Sequence, residues 1–533
     1  MLKRSGQRYL LLALFVSVIL LSVRFLGGQT TRKEIEAKPS PTAESSKSSA
    51  SQTNDPALAA AIDRVLNEND LGRARFGVFV MSLKDGRVLY ARDATELFTP
   101  ASNMKVYTTA TALDLLGADY RWRTSVYAAK QPDANGVVDA DLTLYGRGAP
   151  DLISKLKGDA PTLAALADRL YQAGLREVRG NIIGDNSYFR GSLYGLGWQW
   201  NDLQWYFGAE PSALTIDENS VEVTIGPGSK QGSANVVINP ASSPLHLTNE
   251  TKTAERSDTT SIGIVRDLSG NELRVWGDFP ANGRAFSAFI SVHDPASWAA
   301  TLFKRALVSR GIKVNGEVRS RDFRSVETEK FDPEKASELA YAESEPLSAI
   351  VRHTNKESDN LYAELILRTL GKERGAYAPD PDPRKNRERG DDEAGTAVVR
   401  AWLESKGINT KGLSIRDGSG LSRLDLITPE TTARLLVAIA STNSANAFHD
   451  SLPIAGRDGT LNSRLKNLTG RIFAKTGTLT YTHSLSGYAT TPENETLVFS
   501  IMCNEATTDR TAVKIVDDLA SAIANFRGSP TAK

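Results

Sequence analysis

The chain has 533 residues, which is too long for one ordinary hydrophobic core and predicts two or three domains. Its 64 lysines and arginines balance 63 aspartates and glutamates, so overall charge gives no reason to expect a nucleic acid as partner. A single cysteine, Cys503, excludes an intramolecular disulfide framework and a multi-cysteine metal site, and the five histidines lack metal-binding spacing. We expect the chemistry to need no metal or other cofactor.

The N-terminus carries the pattern of an export signal. Residues 1–8 are basic, and the apolar run YLLLALFVSVILLSV at 9–23 stops at Arg24. The run is short for a membrane-spanning helix, which needs about 20 residues, and no clear small-residue cleavage site follows. Residues 1–29 are therefore predicted to be a signal peptide or a membrane anchor, either of which places the rest in the periplasm or at the extracytoplasmic membrane face. Residues 30–56 are rich in Ser, Thr, Lys and Pro, which predicts a disordered linker.

The folded part begins with a predicted β-hairpin followed by a helix. Two runs of β-branched and aromatic residues, 76–83 and 87–92, flank a glycine-containing turn. Apolar residues then recur at helical spacing as far as Leu116, before Gly117. Ser102 is predicted to lie in the first turn of this buried helix.

The pattern of the sequence changes twice after this helix. Between 121 and 344, short strand-like runs alternate with glycine-rich turns, and a helix is predicted at 294–311. Helical patterns return from 345, with a charged loop at 379–393. Three strand-like runs and a final helix are predicted at 470–477, 484–491, 496–504 and 510–526.

The element order predicts an α+β fold built around a discontinuous domain. Two early strands and three late strands would form one antiparallel sheet, flanked by the last helix and by the helix that follows Ser102. On this interpretation residues 57–120 and 345–533 form one split domain. Residues 121–344 are then a large β-rich insertion.

Three short motifs lie in the predicted split domain: Ser102-x-x-Lys105, Ser358-x-Asn360 and Lys475-Thr476-Gly477. The first two are weak alone, because each pattern recurs elsewhere in the chain, whereas Lys-Thr-Gly occurs once. Their order and settings are more specific, because the first begins a helix, the second lies on a loop or helix start, and the third is predicted to end a strand.

These motifs resemble those of the penicillin-recognising serine enzymes, in which they occur in the same order. The long separation between the first two motifs is similar to that of low-molecular-mass class C penicillin-binding proteins, which are D-alanyl-D-alanine carboxypeptidases and endopeptidases with a large insertion. The stretches at 197–214, 417–423 and 452–464 also resemble that family. The resemblance covers about residues 57 to 527 and implies a transpeptidase-like domain.

The residue types of the motifs indicate nucleophilic catalysis. The Ser102 hydroxyl needs a base, no histidine is near it in sequence, and Lys105 can serve only if it is neutral. Burial and repulsion by Lys475 would lower the pKa of Lys105, with Lys475 acting as a fixed positive charge. Ser358 is predicted to relay a proton between Lys105 and the leaving amine, and Asn360 to orient Lys105 and a substrate amide.

Further roles concern substrate binding. The strand edge around Lys475 to Thr478 offers a surface for an extended peptide, with Lys475 and Thr476 facing its terminal carboxylate. The resemblance implies that the amides of Ser102 and Thr478 form an oxyanion hole, and that Gly477 is part of the substrate-binding strand. It also implies that Asp202 meets the amino group of the substrate's diamino acid; the alternative is a turn aspartate beside packed aromatic rings.

The resemblance implies a serine-type hydrolase that attacks the D-Ala-D-Ala bond of a peptidoglycan stem peptide and forms an acyl-enzyme on Ser102. β-Lactam antibiotics would be inhibitors, and no metal or nucleic acid is expected. The balance between carboxypeptidase and cross-link endopeptidase activity, and the oligomeric state, are left open. Two alternatives are a β-lactamase, for which no deacylating carboxylate motif is found, and a non-catalytic wall-binding protein.

Overall fold

The computed structural model describes residues 54–70, 72–153, 162–229, 232–254, 260–325, 331–376 and 389–528. The predicted signal or anchor segment, most of the predicted linker and most of the charged loop lie outside the described residues. Within the part of the chain that is described, no helix is both long and apolar enough to cross a bilayer.

The described helices and strands follow one another in this order along the chain. The helices are α1 (Pro56–Glu68), α2 (Met104–Leu116), α3 (Leu163–Gln172), α4 (Pro295–Ser309), α5 (Leu347–Lys356), α6 (Asn360–Arg374), α7 (Asp391–Ser405), α8 (Pro429–Ala440), α9 (Ala445–Ser451) and α10 (Asp509–Ala524). The strands are β1 (Arg75–Ser82), β2 (Val88–Arg92), β3 (Arg123–Ala128), β4 (Val137–Val138), β5 (Leu142–Tyr145), β6 (Glu177–Val178), β7 (Ile182–Asp185), β8 (Ser220–Gly226), β9 (Asn235–Asn239), β10 (His246–Ala254), β11 (Ser261–Arg266), β12 (Glu272–Pro280), β13 (Phe286–Ser291), β14 (Lys313–Val314), β15 (Val318–Arg321), β16 (Ser337–Glu343), β17 (Ile472–Leu479), β18 (Thr482–Thr490) and β19 (Thr496–Asn504).

The central sheet joins strands from the two ends of the described chain. Its order is β17-β18-β19-β1-β2, and every neighbouring pair is antiparallel. The predicted sheet of two early and three late strands is therefore confirmed. Because β1 pairs with β19, the hairpin near the start is locked against the last strand.

Both faces of the central sheet are buried. In β1, Phe76, Val78 and Val80 pack into the cluster that contains α1 and α10, whereas Phe79 and Met81 face the cluster that contains α2 and α8. This alternation follows the two-residue period of a strand. Burial of each such side chain contributes about 1.5–3 kcal/mol. The sheet is thus a rigid support for the residues on its edge strand β17.

The segment from 121 to 344 forms sheets of its own. Strands β3 to β16 all lie in it and build a five-stranded sheet of order β15-β7-β5-β3-β16 and three three-stranded sheets. Among the described strands, none of these pairs with the central sheet. The pattern supports our proposal that 121–344 is an insertion. The predicted helix at 294–311 is present as α4, and α3 is a second helix that the sequence analysis did not predict.

Two predicted boundaries are wrong. The linker prediction extended to 56, but Pro56 begins α1 because the Asp55 carboxylate caps the helix by accepting from the amides of Ala57 and Leu58. The charged-loop prediction extended to 393, but residues 391–393 form the first turn of α7. Carboxylates are favourable at a helix N-terminus, so this acidic run begins the helix.

Candidate active site

The three motifs meet in one cleft, which also receives residues from the proposed insertion. The cleft has a volume of about 1010 Å³. Of the predicted site residues, those that line it are Ser102, Ser358, Asn360, Thr476, Thr478 and Asp202. Lys105 and Lys475 are fully buried beside it. We call these two lysines, with the hydroxyls of Ser102 and Ser358, the cleft floor.

Ser102 lies in a 3-10 turn, Ala101–Asn103, that leads into α2. The prediction placed it in the first turn of the helix itself; the difference arises because Ala101 has a left-handed φ of 49°. The Asn103 side-chain amide donates to the Lys475 carbonyl at 3.0 Å, which fixes the turn to β17. The serine is thus held directly against the edge strand.

The third motif was predicted to end a strand. In the structure it lies in the middle of β17, at Lys475, Thr476 and Gly477. The strand continues because Thr478 and Leu479 pair with His483 and Thr482 of β18. A Cβ added at Gly477 would lie 3.0 Å from the Ser102 nitrogen and 2.7 Å from the Pro100 oxygen. Only glycine therefore permits this approach of β17 to the serine turn.

Lys105 contacts the predicted nucleophile. Its Nζ lies 3.0 Å from Ser102 Oγ, 2.5 Å from Asn360 Oδ1 and 2.8 Å from the Ser419 carbonyl. The predicted contact between Lys105 and Asn360 is present. Burial lowers the pKa of Lys105 to about 8, although nearby carboxylates oppose this shift. The neutral amine that a general base requires is thus accessible near neutral pH.

The second lysine is also buried and hydrogen-bonded beside the cleft, and its role as a fixed positive charge stays a prediction. Lys475 Nζ donates to Ser358 Oγ at 2.9 Å and to the Thr476 carbonyl at 2.8 Å. Burial, and then repulsion by Lys105, hold the pKa of Lys475 well below its ordinary value. Lys475 was expected to be the fixed charge that repels Lys105. In the structure both ammonium groups are buried, and carboxylates near Lys105 favour its charged form.

Ser358 lies at the corner between α5 and α6. Its backbone has a left-handed φ of 62°, a strained conformation for a residue with a side chain. Next to it, the Asp359 carboxylate caps α6 by accepting from the Tyr362 amide at 2.9 Å. The predicted relay joined Ser358 to Lys105, but its hydroxyl is hydrogen-bonded to Lys475.

A histidine and two carboxylates flank this corner. His353 Nε2 lies 3.5 Å from Asp359 and 4.0 Å from Glu218, and all three residues line the cleft. Burial lowers the pKa of His353, but the carboxylates outweigh burial and leave it raised.

Asn360 links the motifs to the proposed insertion. While its Oδ1 faces Lys105, its Nδ2 donates to the carbonyl of Phe207 at 2.8 Å. Phe207 belongs to a 3-10 turn, Tyr206–Gly208, in the family-like stretch at 197–214. The amide that was expected to meet substrate is therefore also a brace between the two parts of the cleft.

Asp202 lies on the insertion side of the cleft, as its predicted role requires. Burial raises its pKa, and the positive charge of Arg423 opposes this rise. The Asp202 backbone amide and carbonyl also form turns, with Gln199 and Trp205. Both the functional prediction and the turn alternative fit this position.

On the strand side of the cleft, the hydroxyls of Thr476 and Thr460 lie 2.6 Å apart.

Sequence reasoning missed a buried network behind Lys105. Glu364 accepts from the amides of Gly418 and Ser419, both at 2.9 Å, and pairs with Arg368 at 3.0 Å. Burial raises the pKa of Glu364 to about 7. Asp417 accepts from the Trp198 indole at 2.8 Å. The available signal was the stretch Asp-Gly-Ser-Gly, in which a turn aspartate accepts from following amides.

The whole described arrangement is similar to known proteins. Residues 58–525 match the model of the D-Ala-D-Ala carboxypeptidase 3 (S13) family. A D-alanyl-D-alanine carboxypeptidase of Actinomadura sp. (strain R39) is 33% identical over 480 residues, which cover 88% of this chain and 84% of that protein. The crystal structure of penicillin binding protein 4 from Haemophilus influenzae has a TM-score of 0.74 and 25% identity, covering 87% of this chain and 99% of that one. The same protein complexed with a β-lactam has a TM-score of 0.69 and 22% identity, covering 87% and 99%.

Proposed function

The chain belongs to the D-Ala-D-Ala carboxypeptidase 3 (S13) family, and we propose that Ser102 is the nucleophile with which it hydrolyses the D-Ala-D-Ala bond of peptidoglycan stem peptides. The observation that carries this proposal is the 3.0 Å contact between Ser102 Oγ and the buried Nζ of Lys105. A serine hydroxyl needs an adjacent base, and burial supplies a lysine that is easily deprotonated.

Substrate binding sets the proton positions. The two lysines are buried, which lowers the pKa of both, and their charges repel each other. The peptide's terminal carboxylate, arriving beside Lys475 and Thr476, favours the charged form of Lys475. This leaves Lys105 neutral and able to act as base.

Acylation then removes one proton from Ser102 and delivers one proton to the leaving amine. Ser102 Oγ attacks the carbonyl carbon of the penultimate D-Ala and gives its proton to Lys105. Ser358 gives a proton to the leaving amine of the terminal D-Ala and regains one from Lys475. Water reverses these transfers when it cleaves the acyl-enzyme, releasing the shortened peptide and restoring Ser102.

The negative charge of the tetrahedral intermediate is assigned to the amides of Ser102 and Thr478. The tight packing at Gly477 supports this assignment, because it brings β17 against the serine turn. One such donor contributes about 2.7–4 kcal/mol to the chemical step. Asp202 is assigned to the amino group of the diamino acid.

The proposal extends to β-lactams and to cross-linked peptides. A β-lactam would acylate Ser102, in line with the β-lactam complex of the Haemophilus protein. A peptide cross-link that presents the same D-Ala acyl group to Ser102 is a substrate of the same chemistry. Because the substrate is cell-wall material, the folded part would act outside the cytoplasm.

The test uses the purified protein and Ser102→Ala. The protein is incubated with a pentapeptide ending in D-Ala-D-Ala, with D-Ala release measured, and separately with penicillin, with intact mass measured. We expect D-Ala release and a stable penicillin adduct that the variant lacks. Penicillin consumed without an adduct would instead indicate a β-lactamase. Intact penicillin, no adduct and no D-Ala release would indicate a non-catalytic wall-binding protein.

A further inference from the structure

Two exposed aromatic rings form part of the cleft, on the side of the proposed insertion. Tyr206 is 52% exposed and Phe289 is 48% exposed, yet both line the same cleft as Ser102. Their ring centroids are 6.2 Å apart with an interplanar angle of 73°, an edge-to-face pair. We call Tyr206 and Phe289 the aromatic wall.

The aromatic wall is held in a fixed position relative to the cleft floor. Phe289 belongs to β13, and a β-bridge joins Trp205 to Ile290, which ties the turn that carries Tyr206 to this strand. The ring of Tyr206 also packs against that of Phe207, with 5.4 Å between the ring centroids. The Phe207 carbonyl accepts from Asn360 of the Ser358-x-Asn360 motif. This hydrogen bond therefore also positions the two rings relative to that motif.

The rings contribute little to the hydrophobic core. Along β13, Ile290 is fully buried in the core of the 121–344 segment, and its neighbour Phe289 points to the opposite face. Adjacent exposed rings in a cleft mark a binding surface more often than a folding element. The cleft also offers polar groups on the same segment, since Glu218 and Ser220 line it.

We propose that the aromatic wall binds a sugar ring of the glycan strand that carries the stem peptide, so that the enzyme prefers glycan-linked substrate to free peptide. A sugar ring has an apolar C–H face that can cover an aromatic ring and an edge of hydroxyls that can meet Ser220 and Glu218. A stem peptide of alanines, an acidic residue and a diamino acid has no large apolar side chain to cover two rings. This inference rests on the proposed function and names the part of the substrate beyond the peptide.

The test compares one peptide with and without its sugars. The substrates are a stem pentapeptide and the same pentapeptide on an N-acetylglucosaminyl-N-acetylmuramyl disaccharide, and the rate of penicillin acylation is measured in parallel. For Tyr206→Ala and Phe289→Ala we expect kcat/KM on the disaccharide substrate to fall about three- to tenfold, mainly through KM. Turnover of the free pentapeptide and penicillin acylation should change less than twofold.

Matched variants separate binding from structure. Tyr171→Ala removes a ring that is 40% exposed but does not line the cleft, and it should leave the preference for the disaccharide substrate intact. Tyr206→Phe and Phe289→Tyr keep an aromatic face and should retain the preference. Equal losses on all three reactions, or a wild-type protein with no preference for the disaccharide, would overturn the proposal. A wild-type protein inert toward peptide and penicillin would remove the proposed function, and this inference with it.

Discussion

The cleft floor and the aromatic wall differ most clearly in their contact with water. Lys105 and Lys475 are fully buried, and each makes its hydrogen bonds to fixed groups. Tyr206 and Phe289 are about half exposed; their rings contact each other, and the ring of Tyr206 also contacts that of Phe207. Reaction chemistry on the floor depends on removing water from an ammonium group, which lowers its pKa. Recognition on the wall depends on leaving apolar surface uncovered until substrate arrives.

This difference predicts that variants of the cleft floor slow acylation by every substrate. Variants of the aromatic wall should slow only the reactions of glycan-linked substrates. The largest effect is expected at Lys105. In Lys105→Arg the guanidinium stays protonated at all accessible pH values, so no base faces Ser102. Penicillin acylation should slow by about two to four orders of magnitude, as measured by stopped-flow kinetics.

Lys304→Arg is the control for Lys105→Arg, because it makes the same substitution at another lysine. Lys304 Nζ also donates to a backbone carbonyl, that of Gly316, but it does not line the cleft. Its variant should acylate at the wild-type rate. A Lys105→Arg protein that is folded by circular dichroism and still reacts at the wild-type rate would show that Lys105 is not the base.

The next effect concerns Gly477, where β17 packs against the turn that carries Ser102. In Gly477→Ala the new Cβ would lie 2.2 Å from Ser484 Oγ as well as against the Ser102 turn. Displacement of that turn should slow penicillin acylation about 10- to 100-fold, because one oxyanion donor is moved. Gly270→Ala is the matched control, since a Cβ there meets nothing within 4 Å. If Gly477→Ala and Gly270→Ala were acylated by penicillin at equal rates, the close packing of β17 against the Ser102 turn would have no role in acylation.

The pH dependence tests the floor without any substitution. With the pKa of Lys105 lowered to about 8, the neutral fraction of its amine increases about tenfold between pH 7 and pH 9. Acylation by penicillin should therefore accelerate by a similar factor and level off above that range. Lys105→Arg should lack this rise. A wild-type rate that is flat over the same range would argue against a lysine base, whereas a fall confined to the upper end would indicate loss of the Lys475 proton that Ser358 needs.

The sequence predicted one half of the floor, the contact between Ser102 and Lys105, and not the other. Ser102 and Lys105 are three residues apart across the junction of the 3-10 turn and α2, a spacing that brings their side chains together, so their 3.0 Å contact follows from local geometry. The two-part central sheet was also predictable, because its strands show clear β patterns. That Ser358 meets Lys475 was not predictable, since these residues come from elements far apart in sequence.

The wall and the buried carboxylates were harder to predict for a different reason. Tyr206 and Phe289 belong to elements that no periodic pattern joins, and an aromatic residue in a strand usually faces a core. Glu364 lies on α6 among apolar neighbours, where its acidic side chain gave no sign that it accepts from the turn at Gly418 and Ser419. Both depend on contacts between residues that are far apart in sequence.

The smallest predicted effect concerns Asp202, which lies on the same side of the cleft as the aromatic wall. Removing the carboxylate charge in Asp202→Asn should lower kcat/KM about three- to tenfold for a pentapeptide whose diamino acid has a free side-chain amine, because a partly solvated ion pair is lost. Penicillin, which lacks that amine, should acylate the variant at the wild-type rate.

Acetylation of the substrate amine supplies the decisive comparison for Asp202. If the carboxylate meets this amine, acetylation should slow the wild type by about the same factor as the substitution does. Acetylation should then have little effect on Asp202→Asn, because the interaction it removes is already absent. Additive losses would mean that Asp202 and the amine act independently. The aspartate would then serve only the turns that its backbone forms with Gln199 and Trp205.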